Sequence, residues 1–302
     1  MKDHWSLYIP PLLTLLDDTS TYIRVRGLSI TSLFLPKLPS KILIQSGLDS
    51  VFEEAIMPSL SWLPNLTPLG ESLEILPAAY TALHALCDAR YPLPSSPQAA
   101  PSLKLISVSN EKQKETEQEK LDESRKDRLQ FLDRVMRQGI FSSYAHSSTN
   151  PDIVEIFIQQ MSILVAKMAI YSVKHLKDII PILSAVMTDP FAATHERLLL
   201  EAVKALQVTI LNTWPRMSEQ GHRNEIIKSL VVCWKTVSQA QEEEKEDEEG
   251  KKMEEVKKEL GVTGRLLVKA VEGELDMWME LELLLIVDRR LVGEVFGITA
   301  RD

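Results

Sequence analysis

The stretch that most constrains this chain is residues 8 to 35, Tyr-Ile-Pro-Pro-Leu-Leu-Thr-Leu-Leu-Asp-Asp-Thr-Ser-Thr-Tyr-Ile-Arg-Val-Arg-Gly-Leu-Ser-Ile-Thr-Ser-Leu-Phe-Leu. The pattern predicts a helix ending at Asp17-Asp18, a tight turn, and a second helix from about Ser20. Pro10 and Pro11 suit a helix entry or first turn, because proline lacks the backbone N–H that a helix interior needs. Ile9, Leu12, Leu13 and Leu16 fall on one helical face, and Asp18 or Ser20 can accept backbone N–H groups at the next helix start. The second helix is expected to turn Ile23, Leu28 and Phe34 inward and Arg24 and Arg26 outward. Such a helix pair cannot cover its own apolar flank. It needs a neighbouring pair stacked upon it, which is the logic of a helical-repeat superhelix, an α-solenoid.

The rest of the chain agrees. Glycine is scarce, 11 of 302 residues, and 44% of the chain is hydrophobic. Leu-, Ala-, Glu- and Lys-rich segments favour helices, and no window alternates long enough to demand a strand. No apolar run of the ~20 residues that a bilayer crossing needs is evident, and the opening Met-Lys-Asp-His-Trp lacks a signal-peptide core. Cys87 and Cys233 lie within amphipathic helices and read as buried free thiols of a reducing compartment. Net charge is −9, and the run 242–259 alone holds ten acids and five bases. No basic patch suggests nucleic acid.

The expected domains are helical repeats over 1–90, a Pro/Ser-rich then charged mobile linker over 91–119, and central repeats over 120–240. An acidic disordered loop over 241–260 and C-terminal helices over 261–302 complete the chain. Pro77 is expected to kink or split the helix 71–90, and Val51, Phe52, Ala55, Ile56 and Leu60 to face inward from the helix before it. Trp5, Tyr8 and Leu12 have nothing before them to pack on. That implies a missing N-terminal segment or a partner over this end. Residues 179–190, Ile-Ile-Pro-Ile-Leu-Ser-Ala-Val-Met-Thr-Asp-Pro, echo residues 8–18: an offset of 171 (189 minus 18) sets Pro181 on Pro10 and Asp189 on Asp18.

Sites of chemistry are not evident. The histidines are scattered, with no His-Glu-x-x-His, Cys-x-x-Cys or Gly-x-Ser-x-Gly. His84 and Cys87 stand three apart on one helix but lack the further pair a zinc site needs. Gly261-Val-Thr-Gly-Arg265 lacks the Lys-Ser/Thr ending and preceding strand of a phosphate loop; it reads as a helix start with Thr263 as cap. The expectation is no catalytic, cofactor-binding or metal-binding residue and no cofactor. Of the five tryptophans, Trp5 and Trp62 are the better candidates for partner-interface anchors, since aromatics dominate interface hot spots.

Leu-Leu-Asp-Asp, four variable residues and then Ile-Arg resembles a HEAT repeat. PPLLTLLDD (10–18), RVRGL (24–28), LPSKILIQSGLDSVFEEAIMPSLSWLPNLTP (38–68) and ESLEILPAAYTALHAL (71–86) together resemble the Tti-two family, in a fungal-like version. The resemblance implies a non-catalytic scaffold subunit of a TTT-like co-chaperone complex. Its implied partners are Tti-one and Tel-two homologues and the heat-shock chaperone system. Phosphatidylinositol-3-kinase-related kinases, which the complex matures and stabilises, are indirect partners. A cytoplasmic or nuclear location, with no nucleic-acid or membrane partner, goes with it. The alternative is a HEAT-repeat adaptor for transport or trafficking. The positions that match the family pattern are Pro11, Asp17, Asp18, Arg26, Gly27, Gly47, Trp62, Leu63, Pro64 and Tyr80. Their implied role is to maintain repeat turns: Asp17 and Asp18 by helix-end bonding, Gly27 by close helix approach, and Asp189 by analogy with Asp18.

Overall fold

In the computed structural model, the described residues are 5–92, 111–243, 248–272 and 275–298. All regular elements among them are helical. They pack into two compact units, Met1–Ser147 and Ser148–Asp302.

In the first unit, α1 (Ile9–Leu16) and α2 (Thr21–Phe34) form a hairpin. Next come α3 (Ser40–Gln45), α4 (Leu48–Ile56), the 3-10 turn Met57–Ser61 and α5 (Leu69–Arg90). Gly47 turns the chain between α3 and α4 at a φ of 70°, a conformation that favours glycine. α1 packs on α2 and α4, and α5 packs on α2, α3 and α4. α5 carries the core of this unit through Ile75, Leu76, Ala79, Tyr80, Leu83 and Leu86, all buried. It runs unbroken past Pro77, so the expected split does not occur. α6 (Glu111–Arg134) continues into a π-helical segment, Val135–Ser142, and then α7 (Ser143–Ser147). Most of the linker expected over 91–119 lies outside the described residues, but helix is already present at Glu111.

The π-helical segment is held from α5. The hydroxyl of the fully buried Tyr80 donates to the Gly139 carbonyl at 2.5 Å. Burial raises the Tyr80 phenol well above its ordinary range, so the hydroxyl stays a donor. A Cβ at position 139 would lie 2.9 Å from Leu60 Cδ1 and 3.2 Å from the Tyr80 hydroxyl. Glycine is what lets the two backbones approach.

The second unit contains α8 (Pro151–Met168), α9 (Leu176–Met187), α10 (Glu196–Thr213), α11 (Gln220–Glu243), α12 (Glu248–Ala270), α13 (Leu275–Val287) and α14 (Arg289–Phe296). α10 packs on α8 and α12, and α12 on α14; α9 packs on α11. Alternate helices therefore lie side by side, joined across by the α9–α10 and α11–α12 contacts.

Several expectations change here. Pro151–Met187 is long and apolar enough, by length and composition, to cross a membrane, contrary to the sequence reading. Its apolar face is used inside the unit: Ile153, Phe157, Met161, Leu164 and Val165 are buried, and α8 rests on α10. α8 also ends at Ala169, where φ is 50°, before a 3-10 segment to His175. The acidic stretch placed in a disordered loop over 241–260 is helical from Glu248, with Met253, Val256 and Leu260 buried. That stripe, at spacings of three and four, outweighs the charge around it. Gly261 and Gly264 lie within α12 rather than at a helix start. A Cβ on Gly264 would stand 2.2 Å from the Val295 carbonyl, so this glycine is needed for α12 to meet α14. Thr263 donates to the Glu259 carbonyl at 2.7 Å and caps nothing. The side chains of Met277 and Trp278 lie outside those described, while Leu281 of α13 is buried.

Cys87 and Cys233 are both buried, and neither forms a disulfide. Burial pushes the Cys233 thiol up to about 12, so it is not a ready nucleophile.

Candidate functional site

The α1–α2 turn is built from short-range bonds. The Asp17 N–H closes α1 by donating to the Leu13 carbonyl at 3.0 Å. Asp18 Oδ1 accepts from the Ser20 N–H at 2.7 Å, an Asx turn that sets the direction of α2. Deeper in the hairpin, a Cβ on Gly27 would lie 2.9 Å from Leu15 Cβ and 3.0 Å from its backbone carbon, so the hairpin can close only over glycine.

Arg24 does not point outward. It is 8% exposed, between Thr21 and Leu28 on the inner face of α2. Its guanidinium stacks over Trp62, 4.9 Å from the ring centroid, and lies 4.0 Å from Asp17 Oδ1. Its Nε is buried without a hydrogen bond. Burial draws this guanidinium below its ordinary value, and Asp17 and Asp18 act in the opposite direction. The Asp17 side chain is itself 97% exposed, so the pair is poorly closed.

A cleft of about 710 Å³ opens beside this turn, lined by α1, the start of α2 and α4. From α1 come Leu13, Thr14, Asp17 and Asp18; from α4 and the turn after it come Val51, Glu54, Ala55 and Pro58. The last four follow a helical i, i+3, i+4, i+7 stripe. Val51, expected inward, is 40% exposed on it.

The inward positions of α4 are instead shared by Phe52 and Ile56 with Asp49 and Glu53. Asp49 Oδ2 meets Arg90 Nε at 2.8 Å, and Glu53 meets Arg134 at 3.0 Å and Arg90 at 3.4 Å. Burial pushes the Glu53 carboxyl up, while Arg134 and Arg90 pull it down. The partners lie far along the chain, on α5 and α6, which is why the apolar pattern of α4 misled the sequence reading. A comparable pair occurs in the second unit: Arg223, 1% exposed, meets Glu280 through Nε at 3.0 Å and through its second terminal nitrogen at 3.1 Å.

Asp189 Oδ1 accepts from the Phe191 N–H at 2.7 Å in the α9–α10 turn, the same bond that Asp18 makes. Trp5 is half-buried in the 3-10 turn before α1, and Trp62 is half-buried beneath Arg24. Thus Asp17, Asp18, Gly27 and Trp62 gather around one hairpin, while Asp189 belongs to the other unit. The missed residues are Arg24, Val51 and Glu54. The α4 stripe could have signalled Val51 and Glu54, had it been read as a groove rather than as core, whereas nothing local to α2 marks Arg24 as inward. Among the described residues no three of His, Cys, Asp and Glu are grouped to hold a metal ion. What this cleft offers is carboxylate and apolar contact surface.

No characterised relative and no solved structure matches the chain. The model of one family, described as the Tti2 family, matches residues 1–194. The match takes in the whole first unit with its cleft, and α8 and α9 of the second. With more than half of its length matched, the chain belongs to the Tti2 family.

Proposed function

We propose that this protein is a non-catalytic scaffold subunit of a TTT-like co-chaperone complex. In that role it binds Tti-one and Tel-two homologues and, with the heat-shock chaperone system, supports the maturation of phosphatidylinositol-3-kinase-related kinases. Family membership is the observation that carries this reading. We further infer a HEAT-like α-solenoid. Its support is the helix packing within each unit: α1 on α4 and α2 on α5 in the first, and in the second α8, α10, α12 and α14 in one row with α9 and α11 in another. Solenoids of this kind offer long surfaces on which proteins assemble. A cytoplasmic or nuclear site of action goes with the role.

The test is affinity purification of the tagged full chain from cells expressing both homologues, read by mass spectrometry. Stoichiometric recovery of the Tti-one homologue, with the Tel-two homologue, is expected. Recovery of neither, with the tagged chain folded and monodisperse, overturns the assignment.

A further inference from the structure

The α1–α4 cleft combines three features that point to one kind of occupant. Its rim carries three carboxylates, Asp17, Asp18 and Glu54. Asp17 is almost fully exposed, and Glu54 is exposed with no side-chain bond among the described residues. Its floor is apolar, from Leu13, Val51 and Ala55. Arg24, more than nine-tenths buried against it, leaves Nε without a partner and holds Asp17 only at 4.0 Å. An under-satisfied buried cation costs free energy that a tighter Asp17 contact would lower. A body that covers Asp17 and expels water would strengthen that pair, since charges attract more strongly as the local dielectric falls.

The acidic rim repels phosphate, which argues against nucleic acid. A small ligand is normally enclosed over most of its surface, and this cleft is open. A helix can lie along an open groove and use both its apolar stripe and its charges.

We propose that this cleft receives an amphipathic helix of a partner protein, whose Lys or Arg residues meet Asp17, Asp18 and Glu54 while its apolar stripe covers Val51 and Ala55. The proposal rests on the scaffold reading above and names the chemistry of one of its contacts.

The experiment uses the full chain co-expressed with the Tti-one and Tel-two homologues. A benzoylphenylalanine photocrosslinker replaces Val51, and the linked peptide is mapped by mass spectrometry. The expected product is a partner segment with basic residues three or four apart beside an apolar stripe. Glu54→Lys is expected to reduce capture of that partner about tenfold at low salt, and Glu54→Gln by less, because rim charges act through attraction that salt screens. Both variants should melt like the parent chain, since Glu54 is outside the buried network. A crosslink to a segment without basic residues, or to a second copy of this chain, overturns the proposal. So does an intact complex with no crosslink or with capture indifferent to Glu54→Lys. If the unmodified chain captures neither homologue, the scaffold reading fails first and takes the proposal with it.

Discussion

The α1–α2 and α9–α10 hairpins are two answers to the same local problem. At the offset of 171 residues, Leu12 matches Leu183, Leu16 matches Met187, Leu28 matches Leu199 and Leu35 matches Leu206, and all eight are buried. Asp18 and Asp189 make the same bond to a backbone N–H two residues on. The polar positions differ. Asp17 corresponds to Thr188, whose hydroxyl donates back to the Ser184 carbonyl at 2.8 Å. Arg24 corresponds to His195, at the end of a 3-10 turn, and Gly27 to Leu198. The first hairpin closes tightly over a glycine and leaves an exposed acid beside a buried arginine. The second keeps a leucine at that position, satisfies its threonine internally and exposes Phe191 instead. Shared core positions maintain the hairpin, and the divergent polar ones give the two turns different surfaces.

The largest effect should fall on the shared core. Leu16→Ala and Met187→Ala each remove a fully buried side chain and should each cost about 2–5 kcal/mol in urea unfolding. A loss confined to one of the two would break the equivalence. Next comes the divergent glycine. Gly27→Ala drives a methyl into Leu15 and should cost about 1–3 kcal/mol through overpacking. An unchanged midpoint would show that α1 moves away freely and that the first hairpin is not closed by glycine.

This division also marks what could be read without coordinates. The hairpins, their turn aspartates and their internal echo were legible because they depend on spacing within a dozen residues. The buried charges were not. Arg24, Asp49, Glu53 and Arg223 look like solvent residues until Trp62, Arg90, Arg134 and Glu280 are brought to them from 37 to 81 residues away. Burial of Asp49 and Glu53 accompanies the exposure of Val51, so one long-range network hid both the core of α4 and the floor of the cleft. In α12 the error was of another kind. Met253, Val256 and Leu260 were visible at helical spacing, but counting charge obscured them.

Smaller effects separate the turn bonds. Asp18→Ala and Asp189→Ala each delete one acceptor of a backbone N–H and should each cost about 1 kcal/mol. Asp→Asn should restore most of it, because the amide oxygen can accept the same bond. Thermal melting of the four variants checks this, and a difference between the two sites larger than the loss itself would end the analogy.

The smallest effect on stability should come from Asp17, and it bears most directly on function. Its side chain is exposed and reaches Arg24 only at the limit of an ion pair. Such pairs contribute about 0–1 kcal/mol, so Asp17→Asn should melt within about 0.5 kcal/mol of the parent. Thr188 is different, because its hydroxyl already bonds within its own helix end; Thr188→Ala should be equally mild and leave partner capture intact. Reversing Asp17 and Asp18 together should therefore destabilise through Asp18 alone, while Asp17→Lys alone should leave the fold and weaken capture. If Asp17→Asn instead lowered the melting midpoint as far as Asp18→Ala, the exposed acid would be part of the turn, and the first hairpin would differ from the second in its folding rather than in its surface.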